Sequence, residues 1–204
     1  MLPHLFFATN AIEIELLSED DIKNFLEVTE RQAHDARLIG GTSTSLEEAG
    51  TEVRYRLLDG IGVAEYLPRL QSLYENEFRK IAERVFGREL IPSPDIVSGA
   101  NVNLLEGSGG RYEWHYDSNP YTGLLVLSPT SASLGGRLLF DQNNDVQVAL
   151  SMRPGDLLFF DARKAAHAVE ELKDATRRAS APMNYYVAGE AVIRPSDLDE
   201  TLYS

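Results

Sequence analysis

Residues 101–127 read NVNLLEGSGGRYEWHYDSNPYTGLLVL. Three short runs, NVNLLE, RYEWHYDS and TGLLVL, are separated by SGG and SNPY. Gly, Asn, Ser and Pro close hairpins, so the stretch reads as three successive strands. The same pattern extends in both directions. After Pro94 the strand-like runs are VSGANVNLLE, RYEWHYDS, TGLLVLS, GRLLFD, DVQVALS, GDLLFFD, AAHAVEEL and APMNYYVAG, with further turn signals at LGG, DQNND and RPGD. Short strands at regular spacing predict an all-β sandwich or barrel.

The upstream third has a different period. Ser18 opens SEDDIKNFLEVTERQAHDARLIGG as an N-cap, followed by Glu19, Asp20 and Asp21 at the positive end of the dipole. Gly40 and Gly41 are the expected stop. A second helix is expected over AEYLPRLQSLYENEFRKIAERVFG. There Leu70, Leu73, Tyr74, Phe78, Ile81, Val85 and Phe86 form one apolar stripe and Gly87 ends it. GGTSTSLEEAGTEV between them is a polar loop, followed by a short strand from about Val53 to Leu58. Helices first and strands afterwards predict helices packed on one face of the β unit. The expected organisation is one domain over 1–204, with a helical part over about 1–92 and a β core over about 93–190. The tail PSDLDETLYS reads as a surface end.

Composition narrows the function. The 204 residues suffice for one full core, and 43% hydrophobic with 25% charged residues exclude a disordered chain. A net charge of −13 repels phosphate backbones, so nucleic acid is not an expected partner. No apolar run is long enough to cross a bilayer, and no membrane partner is expected. The N-terminus lacks a positive leader and is broken by Glu13 and Glu15, so a cytoplasmic location is expected. The absence of cysteine excludes disulfides, thiolate metal sites and cysteine nucleophiles.

The chemistry lies in RYEWHYDS. Residues two apart on a strand share a face, so Glu113, His115 and Asp117 point one way while Trp114 and Tyr116 point towards the core. An imidazole and a carboxylate are two adjacent ligands for a divalent metal, and a second histidine completes a 2-His-1-carboxylate site with open positions. HxD alone is a weak signal; an ordinary surface or core histidine gives the same pattern. His167 follows the strand GDLLFFD, and Arg178 and Ser180 lie further on with the spacing of a shared strand face. A guanidinium fork and a hydroxyl together suit a buried carboxylate.

HYD, LGGRLLF, RPGDLLFFD and H-x10-R-x-S together resemble the iron(II)- and 2-oxoglutarate-dependent oxygenases, over about residues 96 to 188. The resemblance implies a double-stranded β-helix (a jelly roll, cupin-like) buttressed by N-terminal helices, which makes the fold mainly β with flanking helices. It implies Fe(II) on His115, Asp117 and His167, with 2-oxoglutarate and O2 as cosubstrates. Arg178 would grip the distal carboxylate of 2-oxoglutarate, with Ser180 assisting. Gly135 and Gly136 match the family's turn before a strand. Many members carry a tyrosine on the strand before HxD; here that face holds Asn101, Asn103 and Leu105, so Asn103 is the candidate replacement. The halogenating branch lacks the carboxylate, and Asp117 therefore implies hydroxylation, with release of succinate and CO2.

The expected substrate is a small molecule, an amino acid or a natural-product intermediate. Glu113, Asn184 and Arg56, with Arg54 beside it, are candidate substrate contacts, and Tyr121 is a candidate flank of the entrance. A prolyl-hydroxylase-like enzyme acting on peptides and a non-catalytic jelly-roll binding module are the alternatives.

Overall fold

The computed structural model describes residues 6–39, 43–46, 52–142, 146–174 and 176–193. In chain order the elements are β1 (Phe6–Asn10), α1 (Glu19–Gln32), β2 (His34–Ile39), β3 (Glu52–Leu58), α2 (Gly60–Tyr66) and α3 (Pro68–Leu73). A π-helical turn (Tyr74–Phe78) leads into α4 (Arg79–Phe86) and β4 (Leu90–Pro92). The strands β5 (Val102–Glu106), β6 (Tyr112–His115), β7 (Tyr121–Val126) and β8 (Leu138–Gln142) follow. The last four are β9 (Val146–Leu150), β10 (Asp156–Asp161), β11 (His167–Val169) and β12 (Arg177–Val187).

The strands form two antiparallel sheets. The larger runs β1-β10-β7-β12-β5-β3-β2, with β4 also on β12; the smaller runs β6-β11-β8-β9. Strand alternation divides the side chains between two cores. On β10, Leu157 and Phe159 face the helices, where Phe25, Leu70, Leu73 and Phe78 pack, while Leu158 and Phe160 face the smaller sheet. On β12, Ala179, Ala181, Met183 and Tyr185 join the helix-side core. The intervening Arg178, Ser180, Pro182, Asn184 and Tyr186 therefore open between the sheets, where they line a cavity. This is the jelly-roll arrangement, with helices on the outer face of the larger sheet. Each of the eight runs after Pro94 contains one strand.

The upstream third departs from expectation in three places. Ser18 does cap α1, in a reciprocal box with Asp21, but the helix stops at Gln32. Ala33 is extended, and His34–Ile39 pairs with β3. The reason is a change of period: Ala36 is buried between exposed Asp35 and Arg37, which is strand alternation. The proposed stop at Gly40 and Gly41 lies outside the described residues, as do 47–51 of the loop and the tail from 194. The second helix is interrupted before Pro68, which lacks the N–H needed inside a helix and instead starts α3. Lastly, β1 and β4 were not expected; both are short and are defined by their partners β10 and β12.

Gly135 and Gly136 have φ of 77° and 71°. A Cβ on Gly135 would come within 2.2 Å of the Glu171 carbonyl oxygen, so close backbone approach, and not only a hairpin, demands glycine there. Gly135→Ala is expected to destabilise by about 2–4 kcal/mol, a Tm loss of roughly 4–16 °C by thermal denaturation. Gly107 has a similar φ of 81° with no neighbour against its Cβ, so Gly107→Ala should cost only about 1–2 kcal/mol. Equal losses for the two would remove the contact argument. Among the described residues, no helix is long and apolar enough to cross a membrane.

Candidate active site

Antiparallel pairing of β6 with β11 sets His115 opposite His167, with ring centroids 4.3 Å apart. Just beyond β6, the Asp117 N–H donates to the Ala162 carbonyl at 3.0 Å, which fixes the backbone as it leaves the sheet. Asp117 Oδ1 lies 3.5 Å from His115 Nε2 and 3.4 Å from His167 Nε2. The three ligand atoms fall within 4.8 Å of one another and could hold a metal ion. Adjacent ligands on a six-coordinate metal at ~2.1 Å sit roughly 3 Å apart, so the spacing suits one shared ion.

The surroundings aim these atoms. His115 Nδ1 is 2.7 Å from the Glu113 carbonyl oxygen, and His167 Nδ1 is 2.9 Å from that of Ala165. A carbonyl can only accept, so each Nδ1 donates a proton to it and each Nε2 is turned inward towards the cluster. The Thr122 hydroxyl donates to Asp117 Oδ2 at 2.5 Å, leaving Oδ1 for the cluster, and the Asn119 amide donates to Thr122 Oγ1 at 2.8 Å. Burial opposes the charge on Asp117, but the two imidazoles outweigh it and hold the carboxyl well below the usual range. Burial also opposes protonation of His115, and here the Asp117 carboxylate prevails, raising its pKa.

Arg178 is 3% exposed. Its Nε donates to the Gly136 carbonyl at 3.0 Å and its Nη1 to Ser180 Oγ at 2.8 Å. Nη2 is buried and has no hydrogen-bond partner. Burial lowers the Arg178 pKa to about 10, which still leaves the group charged at neutral pH. A buried guanidinium with an unused donor and, among the described residues, no carboxylate paired with it calls for an anion. Arg178, Ser180 and the metal-type cluster line one cavity of about 180 Å³. Asn103, paired with Ser180 in the β5–β12 ladder, lines it too.

Of the remaining expected contacts, Glu113 and Asn184 line the cavity. The Asn184 side-chain amide donates to the Ser98 carbonyl at 2.7 Å, and the Asn184 main-chain carbonyl accepts from the Tyr74 hydroxyl at 2.7 Å. Arg56 does not reach the cavity. Tyr55 and Leu57 face inward, so alternation sends Arg54 and Arg56 outward, and Arg56 Nη2 donates to the Glu30 and Ala33 carbonyls at 2.8 and 3.0 Å. These arginines belong to a sheet strand. Tyr121 is likewise corrected: it begins β7, whose Thr122 and Leu124 point in, and its ring stacks on Phe86 at 4.0 Å on the helix side. Trp114 and Tyr116 are half-buried, and Tyr116 lines the cavity.

The sequence reading missed Tyr112. Strict alternation groups it with Trp114, away from His115. The ladder slips, however: His167 pairs with His115, but Val169 pairs with Tyr112, so two steps on β11 span three on β6. This bulge turns Tyr112 into the cavity. Residues 43–46 were also missed as a wall. The Thr44 carbonyl accepts from Tyr116 N at 3.0 Å and Leu46 N donates to the Trp114 carbonyl at 2.8 Å, so the segment pairs along the outer edge of β6.

The sequence model of the 2OG-Fe(II) oxygenase superfamily matches residues 100–186, a span holding the three-residue cluster, Arg178 and Ser180. No curated protein matches the chain. Solved structures do. The non-heme alpha ketoglutarate dependent epimerase SnoN from nogalamycin biosynthesis is 16% identical, with 96% of this chain and 83% of that chain covered and a TM-score of 0.68. The same epimerase is known in complex with Fe3+, alpha ketoglutarate and nogalamycin RO. An oxidoreductase of the 2OG-Fe(II) oxygenase family from Burkholderia pseudomallei is 12% identical, covering 94% and 89%, with a TM-score of 0.68. A prolyl hydroxylase from Trichoplax adhaerens, in complex with a hypoxia inducible factor peptide fragment, is 17% identical, covering 90% and 84%, with a TM-score of 0.64. Identities this low carry the fold alone; the matched span carries the domain assignment. The chain thus carries a 2OG-Fe(II) oxygenase domain, matched over residues 100–186, and the enzymes of that superfamily use Fe(II), 2-oxoglutarate and O2.

Proposed function

We propose that this oxygenase hydroxylates an unactivated C–H bond of a small molecule, an amino acid or a natural-product intermediate. The observation that carries the reading is the buried Nη2 of Arg178, left without a partner in the same cavity as His115, Asp117 and His167. The three cluster residues would hold the iron. Arg178 and Ser180 would hold the distal carboxylate of 2-oxoglutarate, with Asn103 beside them. When bound, the iron and its cosubstrates supply the oxidising power, with release of succinate and CO2. The chain's own part is to fix geometry and exclude water. The Nδ1 contacts hold the two rings, Thr122 holds the carboxylate, and Tyr112 and Leu124 wall the space between the sheets.

Two features favour a small substrate over a peptide. The cavity is below the roughly 300–1,000 Å³ usual for ligand sites. Residues 43–46 also lie along the β6 edge beside His115, where an extended peptide would need open backbone. The helical part and the β core form one unit in this reading, because β1, β2 and β3 belong to the larger sheet.

An anaerobic titration with Fe(II) and 2-oxoglutarate tests the cofactor assignment, with a weak visible charge-transfer band as the expected result. Admitting O2 with candidate substrates should then release succinate in step with a free small molecule that gains one oxygen atom. Absence of the band would remove the assignment, and stimulation by peptides alone would favour the prolyl-hydroxylase-like alternative.

A further inference from the structure

Three charged side chains other than histidine line the cavity: Asp117, Arg178 and Glu113. Asp117 is committed to the two imidazoles and Thr122. Arg178 lacks an anion. Glu113 is the reverse case. It is 2% exposed, its Oε2 is buried with no hydrogen-bond partner, and among the described residues no cation pairs with it. Arg178 does not neutralise it, since no ion pair joins the two. A dicarboxylate bound at Arg178 cannot neutralise it either, because the two charges have the same sign.

The nearby His115 imidazole feels the Glu113 charge but makes no ion pair with it, and a carboxylate removed from water without a hydrogen-bonded cation is costly, so such groups persist where a ligand completes them. The cavity therefore has two unmatched charges of opposite sign. One takes an acid and the other needs a cation. The walls suit a cation as well: Tyr55, Tyr112 and Tyr116 are among the residues lining the same cavity, and aromatic side chains attract ammonium groups.

We propose that the substrate carries a free ammonium group and that the Glu113 carboxylate binds it beside the metal cluster. This inference rests on the small-molecule oxygenase reading and narrows it to amine-bearing compounds, free amino acids among them. It disfavours residues inside a peptide chain, whose nitrogens are amides. Glu113 then sets both selectivity and pose: it lies on the strand that carries His115, so the carbon presented to the metal is fixed by its distance from the ammonium nitrogen.

The experiment uses the full chain, metal-free and also loaded with Mn(II) and 2-oxoglutarate, which does not turn over. The probes are the standard free amino acids and butylamine, with their N-acetyl derivatives as uncharged counterparts, and binding is read by calorimetry. At least one ammonium probe should bind, its N-acetyl form at least about 30-fold more weakly, and Glu113→Gln should weaken the ammonium probe by a similar factor. Mn(II) and 2-oxoglutarate affinities should stay within about twofold in that variant. A second readout concerns the ligand-free protein. Replacing an unpaired buried carboxylate by the isosteric amide should raise Tm. Equal binding of the ammonium probe by Glu113→Gln, equal binding of the acetylated forms, no binding of any ammonium probe, or a lowered Tm each overturns the proposal. If the wild type binds neither Mn(II) nor 2-oxoglutarate, the oxygenase reading of the site fails, while the metal-free titration still decides the ammonium site.

Discussion

His167→Ala is expected to abolish metal binding and turnover while leaving the fold in place, and His115→Ala is expected to match it. The cluster offers three ligand atoms, and the loss of one leaves a single imidazole and a single carboxylate. Removing even an outer partner of a metal ligand typically costs 10–100-fold in affinity, so loss of a ligand should exceed about 100-fold for Fe(II). The fold survives because the β11 ladder is backbone: His167 pairs with both Phe140 and His115 through main-chain groups that alanine keeps. The ring is 6% exposed and lies 5.0 Å from that of Phe160, so a hole is left, and a stability loss of about 1–3 kcal/mol is expected. The check is a thermal shift under argon with Fe(II). The wild type should gain Tm as metal is added and the variants should not. His34→Ala is the control, because His34 is exposed on β2, outside the cluster, and should behave as wild type. Binding of Fe(II) by His167→Ala within about threefold of wild type would remove the ligand assignment.

The chemistry of this chain was legible where it depends on strand period and not where the period breaks. Arg178 and Ser180, two apart on β12, share a face by period alone, whereas Asp117 lies just past the end of β6 and is placed by its N–H bond to the Ala162 carbonyl. The same count chooses Arg178 over its neighbour Arg177, which faces solvent and pairs with Glu30. It also brings Asn184 to the cavity, six residues after Arg178 on one strand. Tyr112 was illegible because a bulge is a property of the pairing, visible only once β11 lies alongside. Tyr121 was misread for a simpler reason. Treated as a loop residue it had no face, but as the first residue of β7 it is placed by the inward Thr122 and Leu124. The end of α1 shows the limit of capping signals. Glycines at 40 and 41 are plausible stops, yet an alternating HDARLI found a strand partner first. Long-range pairing overrode a local rule.

Arg178→Ala should raise the 2-oxoglutarate requirement by about 30- to 1,000-fold, corresponding to the 2–4 kcal/mol typical of a buried charge-assisted pair. The prediction comes from how the guanidinium is already held. Nε is fixed by the Gly136 carbonyl and Nη1 by Ser180, so the plane of the fork is set before any ligand arrives and Nη2 is the donor left to use. A preset donor binds without the entropy cost of ordering a flexible side chain, which is why its loss should appear mainly in binding. The expected signature is therefore a split: KM for 2-oxoglutarate rises steeply, while kcat at saturation falls much less. Arg178→Lys should recover only part of the loss, since an ammonium supplies charge without the planar fork and cannot keep both the Gly136 and Ser180 contacts while reaching a carboxylate. Fe(II) affinity without cosubstrate should be unchanged in both variants, because Arg178 is not among the ligand atoms of the cluster. Steady-state kinetics with 2-oxoglutarate varied, together with an Fe(II) titration, separate the two effects. An unchanged requirement in Arg178→Ala would mean that the buried donor serves the fold and that the acid is held elsewhere in the cavity.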